Sequence, residues 1–202
     1  MKLYSIRGSR SHRIRWALEE LGVDYEIEPM TFMRDSIKSE TYLEKNPSGL
    51  VPTLEDGDAL VFESGAILEY LAEHYDPDAV LLPTAEPERS LARSWMHWSE
   101  ATLSPALSDY IGHTAVRPED KRIPAVAEDA KKRLNRNFRA IGRQLARHEF
   151  LAGQTFSGAD IMLGLTLHLC SLMGLLGEDH GAVREYYERM AARPAFQRAD
   201  AD

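Results

Sequence analysis

The sequence contains almost no cysteine. Cys170 is the only one in 202 residues, which excludes an intrachain disulfide framework and favours a reducing cytoplasm. It lies in the apolar run from Ile161 to Leu176, whereas reactive thiols need an exposed, electropositive setting, so we predict that it packs in the core. With no Cys-x-x-Cys pair, dithiol redox chemistry is excluded, and any sulfur chemistry must use a thiol that a ligand brings.

The sequence also lacks a membrane-spanning segment, a metal-binding motif and an excess of positive charge. The run 161–176 is shorter than the roughly 20 apolar residues that a spanning helix needs, and Met1 to Ile6 has the pattern of a strand rather than of a secretory signal. No histidine spacing matches a metal site. The net charge of −8 disfavours nucleic acid and anionic membranes as partners. We therefore expect a cytoplasmic protein with no metal, no nucleic-acid partner and no membrane partner.

A proline-rich break divides the chain. It runs from Asp76 to Pro87 and separates mixed strand-and-helix patterning from purely helical patterning. We predict an α/β domain at 1–78, a linker at 79–87 and an all-helical domain at 88–202.

Apolar periodicity in the first domain predicts the order β-α-β-α-β-β-α. The predicted elements are a strand at 2–6, a helix at 11–21 ended by Gly22, a strand at 24–30, a short helix at 36–45, hairpin strands at 51–54 and 59–62, and a helix at 66–75.

The hairpin and the helix after it are the most informative part of this domain. Proline cannot donate to a strand ladder, so Pro52 should begin its strand, and the Val51-Pro52 bend is a place where a cis peptide is tolerated. Such a bend presents the main chain of Val51 to an extended ligand. Glu63 and Ser64 then open a helix, where the Ser64 hydroxyl and the first N–H groups form an anion site.

In the order and spacing of these elements, the segment resembles the glutathione-binding half of the cytosolic glutathione transferases. The resemblance implies a thioredoxin-like domain followed by a helical bundle, glutathione as co-substrate and a homodimer. It implies that Val51, beside Leu50 and before a cis-Pro52, pairs main chain to main chain with the cysteinyl part of glutathione. It assigns the γ-glutamyl end to Glu63 and Ser64.

The turn after the first strand is where the resemblance places the thiol-activating residue. Ser9 falls near the activating serine of the serine-type classes, while Arg10 falls where cysteine-type bacterial enzymes carry their cysteine, which disfavours a mixed disulfide with the protein. Ser11 remains a rival for Ser9, with Arg10 as a cationic helper. Tyr4 is a third candidate, although a mid-strand aromatic is more often core. Either serine could instead be a plain helix cap.

A cation for the glycine carboxylate of glutathione is also expected from the resemblance. The loop before Pro52 offers none, so Arg34 or Lys38 is nominated, with a plain surface charge as the alternative for each.

Helices in the second half are predicted at 88–111, 123–148, 157–176 and 181–193, the last stopping at Pro194. Ser157 and Asp160 form a capping box at the start of the third, a structural role. The resemblance implies that the first helix contributes to an electrophile site. Its candidates are Trp98, Thr102, Tyr110 and His113, although aromatic residues at helical spacing are more often part of the core than of a pocket.

The function that this resemblance implies is glutathione conjugation: the glutathione thiolate attacks a small, mostly apolar electrophile, as in detoxification. A glutathione-dependent peroxidase or disulfide reductase on the same fold is one alternative. A non-catalytic glutathione-binding or regulatory module is the other.

Overall fold

The computed structural model describes residues 1–201 and resolves two compact units. One comprises Met1–Thr84 together with the segment that starts at Ala192, and the other comprises Ala85–Ala191.

The first unit is built on a four-stranded mixed sheet. Its elements are β1 Lys2–Ser5, α1 Ser11–Leu21, β2 Glu26–Pro29, α2 Arg34–Ile37, α3 Glu40–Leu43, β3 Thr53–Asp56, β4 Ala59–Phe62, α4 Ser64–His74 and, at the end of the chain, α10 Pro194–Asp200. The strand order is β2-β1-β3-β4, with β1 parallel to β2 and the other pairs antiparallel. This is the thioredoxin-like arrangement that was expected.

The segment expected to form one helix at 36–45 instead forms the two short helices α2 and α3. Ser39 lies between them with extended backbone, and its hydroxyl accepts a hydrogen bond from the N–H of Tyr42. A serine that caps a new helix also ends the previous one, which explains the break.

The two faces of the sheet are buried differently. Leu3, Ile14, Leu54 and Ile67 have no exposed surface, and they join the sheet to α1 and α4. On the other face Tyr4 belongs to a smaller cluster, together with Ile6, Ile37 and Tyr42.

The last helix corrects the predicted domain division, which placed everything after residue 88 in the helical domain. Pro194 does not end the final helix but lies at the start of α10, a position that suits a residue with a fixed φ and no N–H. Phe196 packs edge-on against Trp16 of α1, with ring centroids 5.0 Å apart. The guanidinium of Arg193 donates to both carboxylate oxygens of Glu20, at 2.6 and 2.9 Å. These contacts place α10 in the first unit.

The second unit is helical. Its elements are α5 Glu88–Trp98, a π-helical turn Ser99–Leu103, α6 Ser104–Ile111, a second π turn Gly112–Val116, a 3-10 turn Glu119–Lys121, α7 Pro124–Leu145, α8 Gly158–Leu172, a 3-10 turn Glu178–His180 and α9 Gly181–Ala191. The predicted helix at 88–111 is therefore interrupted by a π turn. The predicted helix at 157–176 ends earlier, because the backbone turns at Gly174 with a positive φ of 67°. Among residues 1–201, no helix is both long and apolar enough to cross a membrane.

Candidate functional site

Four connections of the first unit converge at one edge of its sheet. β1 runs parallel to β2 and antiparallel to β3, and Thr53 at the start of β3 pairs with both Tyr4 and Phe62. The turn after β1, the loop after β2, the loop before β3 and the residues after β4 therefore lie at the same edge. Apart from Tyr4, which lies within β1, the sequence-predicted residues of this unit belong to these connections, to the first positions of α1 and α4, or to α2 and its end.

The start of α4 carries a buried cation. Ser64 is the first helical residue and is 2% exposed, and its Oγ accepts a hydrogen bond of 3.0 Å from Nη1 of Arg13, which is 1% exposed. The first turn of α4 has no acidic residue. The first N–H groups and the helix dipole favour an anion at a helix start, and the Arg13 guanidinium lies beside the serine.

Arg13 was not singled out from the sequence as a site residue. A charged side chain in a first turn is most simply a solvated one. The available signal was its spacing from Ala17 and Leu21, which places it on the apolar face of α1.

Glu63 has a strained backbone. Its φ of 72° and ψ of 121° lie outside the regions that side-chain-bearing residues ordinarily occupy. Such a conformation costs about 1–3 kcal/mol and is found mostly where function requires it. Glu63 is exposed, so its carboxylate is available at the same edge as Ser64.

The loop before β3 has a defined backbone conformation, held by two buried side chains. The Val51-Pro52 peptide is cis, which confirms the expected bend. The carbonyl of Leu50 accepts hydrogen bonds from the Tyr42 hydroxyl at 2.6 Å and from the Asn46 amide at 2.9 Å. These two buried residues hold the loop in place, while the Leu50 side chain is 55% exposed.

One of the two nominated cations reaches this loop. Nζ of Lys38 donates to the carbonyl of Ser48 at 2.7 Å. Gly49 makes room for it: its φ is +58°, and an added Cβ would lie 2.7 Å from that Nζ and 2.5 Å from the carbonyl oxygen of Ile37. Arg34 lies at the exposed start of α2.

The two serines of the turn after β1 differ in how much of each is exposed. Ser9 is half-buried, and its hydroxyl donates to the carbonyl of Ile6 at 2.6 Å and lies 3.0 Å from Oγ of Ser11. Ser11 has no exposed surface and its N–H donates to Oγ of Ser9 at 3.2 Å. A ligand at the edge can therefore reach Ser9 but not Ser11. Arg10 is exposed beside them.

The Tyr4 hydroxyl is bonded to a residue of the neighbouring strand β3 rather than to the turn after β1. Its hydroxyl donates at 2.6 Å to the carboxylate of Glu55, which also accepts from Nζ of Lys45 at 2.7 Å. Burial raises the pKa of Tyr4, and the neighbouring carboxylate adds to the effect. The residue is a core aromatic that anchors a surface ion pair.

The nominated residues of the second unit follow one helical path through α5, the first π turn, α6 and the second π turn. Trp98 is half-buried against Trp95, with ring centroids 5.0 Å apart. Thr102 lies in the first π turn, a feature that often marks functional positions. Tyr110 is half-buried. Nδ1 of His113 accepts a hydrogen bond of 3.0 Å from the N–H of Ile123, so a neutral His113 carries its proton on Nε2.

Cys170 is buried, and burial raises the pKa of its thiol to about 12, which confirms the predicted packing role. Within residues 1–201, no group of three His, Cys, Asp or Glu side chains is arranged to hold a metal ion.

Residues 1–73 match the sequence profile described as glutathione S-transferase, N-terminal domain, and residues 124–189 match that described as glutathione S-transferase, C-terminal domain. The chain belongs to the glutathione S-transferase family. It is 32% identical to glutathione S-transferase 3 of Zea mays over 98% of this chain and 92% of that protein. It is 27% identical to glutathione S-transferase GstB of Escherichia coli K12 over 92% and 90% of the two chains.

Solved structures of family members agree with this assignment. The theta class glutathione S-transferase from Xanthomonas axonopodis pv. citri, solved with glutathione bound, is 30% identical, has a TM-score of 0.86 and covers 100% of this chain and 97% of its own. A glutathione S-transferase-I bound with lactoylglutathione is 28% identical, has a TM-score of 0.87 and covers 99% and 98% of the two chains. The fold class, a thioredoxin-like unit and a helical unit, is thus shared over essentially the full chain.

Proposed function

We propose that this protein is a glutathione transferase that binds glutathione at the sheet edge of the first unit. The observation that carries the proposal is the start of α4, where Ser64 and a buried Arg13 meet at the same edge as the cis Val51-Pro52 bend and the first helical turn has no acidic residue. The γ-glutamyl carboxylate takes the Ser64 end and the γ-glutamyl ammonium takes Glu63. The cysteinyl main chain pairs with Val51.

The glycine carboxylate is assigned to Lys38. Its ammonium already lies over the loop before β3, through its bond to the Ser48 carbonyl. Arg34 and Lys38 are both exposed, so the preference for Lys38 rests on its hydrogen bond to this loop.

Ser9 is the proposed activator of the thiol. Its hydroxyl donates to the Ile6 carbonyl and can turn to a sulfur atom at the exposed side of the turn. A donor that acts on the anion lowers the thiol pKa, and a shift of about two units needs only about 2.7 kcal/mol. The thiolate then attacks the electrophilic carbon, the carbon–sulfur bond forms, and the bond to the leaving group breaks. Arg10 is exposed beside the turn and strengthens the positive potential there.

The second substrate is proposed to be small and mostly apolar, as in detoxification. Phe32 and Met33 follow β2 at the same edge and are 71% and 66% exposed, which offers an apolar surface beside the proposed sulfur position. Trp98, Tyr110 and His113 are proposed to contribute from the second unit.

A homodimer and a cytoplasmic location belong to the same proposal. β4 is an edge strand on which Leu60 and Phe62 are 42% and 40% exposed, and an exposed apolar edge strand favours pairing with another chain. The single free cysteine favours a reducing compartment.

Steady-state rates with glutathione and an aryl halide, an organic peroxide or a mixed glutathione disulfide test the reaction type. Conjugation should be the fastest of the three. A higher rate with the peroxide or the disulfide would assign the reductase alternative. No turnover with any, despite glutathione binding, would assign a binding module.

The role of Ser9 is tested by thiolate absorbance of bound glutathione against pH. In Ser9→Ala the apparent pKa of the bound thiol should rise and turnover should fall, with little change in glutathione affinity. Ser11→Ala is the matched control, since it removes a neighbouring but buried hydroxyl. An unchanged titration in Ser9→Ala would exclude the serine as activator.

A further inference from the structure

The outer face of the sheet in the first unit carries a cavity that the proposed glutathione site does not use. Side chains alternate along a strand, so Tyr4 lies on the face opposite to that of Leu3, which packs toward α1 and α4. On the Tyr4 face, an open cavity of about 480 Å³ lies between β2 and the short helices α2 and α3. Its volume is in the range of small-molecule sites.

Two tyrosine rings and a methionine form the apolar part of the cavity wall. The rings of Tyr4 and Tyr42 have centroids 5.5 Å apart, and Met30 packs against the same cluster. The Tyr4 hydroxyl donates to Glu55, and the Tyr42 hydroxyl donates to the carbonyl of Leu50. Because both hydroxyls are engaged, these residues offer a ligand mainly ring and thioether surface, which suits an aromatic group.

The charged part of the wall is negative. Glu28 of β2 and Asp35 of α2 both line the cavity. Lys45 lines it as well, but its Nζ lies 2.7 Å from a carboxylate oxygen of Glu55, so this pair adds no net charge. Lys2 lies 3.9 Å from Glu28, and both side chains are 40% or more exposed, so the contact compensates little. The wall therefore favours a positively charged ligand over a neutral or negative one.

Lys45 also shows how this wall accommodates an ammonium group. Its Nζ lies 5.5 Å from the centroid of the Tyr4 ring, within reach of a cation–π attraction. The hydrogen bond to Glu55 raises the pKa of Lys45. A tyrosine ring beside a carboxylate thus stabilises an ammonium group at one end of the cavity, and the lining repeats this combination of rings and carboxylates with Glu28 and Asp35.

We propose that this cavity is a second ligand site, which binds a small organic ammonium compound with an aromatic body. The aromatic body packs against Tyr4, Tyr42 and Met30, and the ammonium group lies near Glu28 and Asp35. The inference goes beyond the proposed function and does not depend on it, because none of these five residues is assigned to a contact with glutathione.

The test uses phenethylammonium, its neutral counterpart phenethyl alcohol and its anionic counterpart phenylacetate. Binding is followed through the backbone amide signals of the full chain by NMR, without glutathione. Phenethylammonium should shift the amides of β2, α2 and α3 in a saturable way, with a dissociation constant of about 10 mM or tighter, as expected for a ligand of this size. Phenethyl alcohol should bind at least about 5-fold more weakly, because it lacks the charge, and phenylacetate more weakly still.

Substitutions in the lining test the two parts of the wall separately. Asp35→Asn and Glu28→Gln should each weaken phenethylammonium binding by about 5-fold and leave the alcohol unchanged. Thr41 is exposed and lines the cavity, so Thr41→Trp should fill it and abolish binding of both compounds. Glu44→Gln is the matched control: Glu44 is an exposed carboxylate at the end of α3, outside the described lining, and its loss should change neither affinity.

The wild type alone is enough to overturn the inference. Equal affinities for phenethylammonium and phenethyl alcohol would contradict the ligand class. No saturable shift, or shifts centred on Val51 and Ser64 rather than on the cavity, would contradict the site. Calorimetry with glutathione on the same sample tests the proposed function independently, so either conclusion can fail while the other stands.

Discussion

Two helices of this protein begin with a serine and a buried charged partner, but the charges have opposite sign. At the start of α8, Asp160 accepts four hydrogen bonds, from the N–H groups of Leu151 and Ser157 and from the hydroxyls of Ser157 and Tyr186. At the start of α4, Ser64 meets the guanidinium of Arg13, and no acidic residue lies in the first turn.

The two helix starts share one requirement, a negatively charged group near the first N–H groups, and this group can be a side chain of the protein or part of a ligand. Every helix start favours a negative group. α8 obtains it from its own third helical residue, Asp160, which closes a capping box with Ser157. α4 has no acidic residue in its first turn, and its first residue, Ser64, accepts a hydrogen bond from the guanidinium of Arg13. The backbone at the two helix starts differs as well. Ser157, before α8, has an ordinary extended φ of −153°, whereas Glu63, before α4, has a φ of 72°.

The largest effect is expected from removing the anion at α8. Asp160→Ala leaves four buried donors without their acceptor, which should lower the free energy of unfolding by about 3–5 kcal/mol. Urea denaturation measures the loss. Asp179→Ala, at an exposed aspartate of the same unit, should change stability little. If Asp160→Ala unfolds at the wild-type urea concentration, the capping network is not the main support of this helix start.

The next effect separates binding from folding. Ser64→Ala should weaken glutathione binding by about 1.5–3 kcal/mol, the usual range for a lost bond to a charged group, with the fold intact. Ser157→Ala is the mirror experiment, and it should lower stability but leave glutathione affinity unchanged. Calorimetry and thermal melting on both variants give the two readouts. Unchanged affinity in a folded Ser64→Ala would remove the ligand assignment.

A third prediction concerns the strained residue. Glu63→Gly should stabilise the fold by about 1 kcal/mol, because glycine accepts a positive φ and the relief exceeds its added chain entropy. Glutathione binding should weaken, since the partner of the γ-glutamyl ammonium is lost. Ala79→Gly relieves the other non-glycine residue at positive φ, 54°, and should stabilise without any loss of binding. A less stable Glu63→Gly would show that the backbone is unstrained.

The smallest effect is expected from a substitution that gives the start of α4 an acidic residue like the one at the start of α8. Ala66 is exposed and lies three residues after Glu63, the spacing that Asp160 has from Ser157. Ala66→Asp should raise stability by about 0.3–1 kcal/mol through the helix dipole. It should also weaken glutathione binding by about 5-fold, as one like charge at 4 Å in water would. Ala66→Asn is the neutral control, and equal affinities for both variants would mean that no anion binds there.

Much of the fold follows from local patterns. The hairpin, the bend at Pro52, the capping box at Ser157 and the buried Cys170 each depend on residues close together in the sequence, and each was predicted. The order of the first unit was predicted for the same reason, since alternating and helical periodicities are local signals.

What escaped prediction depends on contacts between distant segments. Ser9 and Ser11 have the same chemistry and nearly the same position, and only their burial in the folded turn distinguishes them. The spacing within α1 places Arg13 on the apolar face, but its hydrogen bond to Ser64 joins residues of two different helices, and no pattern within α1 predicts that bond. The return of α10 to α1 likewise depends on contacts between residues far apart in the sequence.

The return of α10 has a consequence for biosynthesis. A ribosome releases the sheet and α1 long before it makes residues beyond Ala192, and until then Trp16 lacks Phe196 and Glu20 lacks Arg193. The unit that carries the proposed glutathione site is therefore the last to be completed, although it is the first to be translated. The nascent chain must keep the exposed flank of α1 from other partners during the whole synthesis of the helical unit.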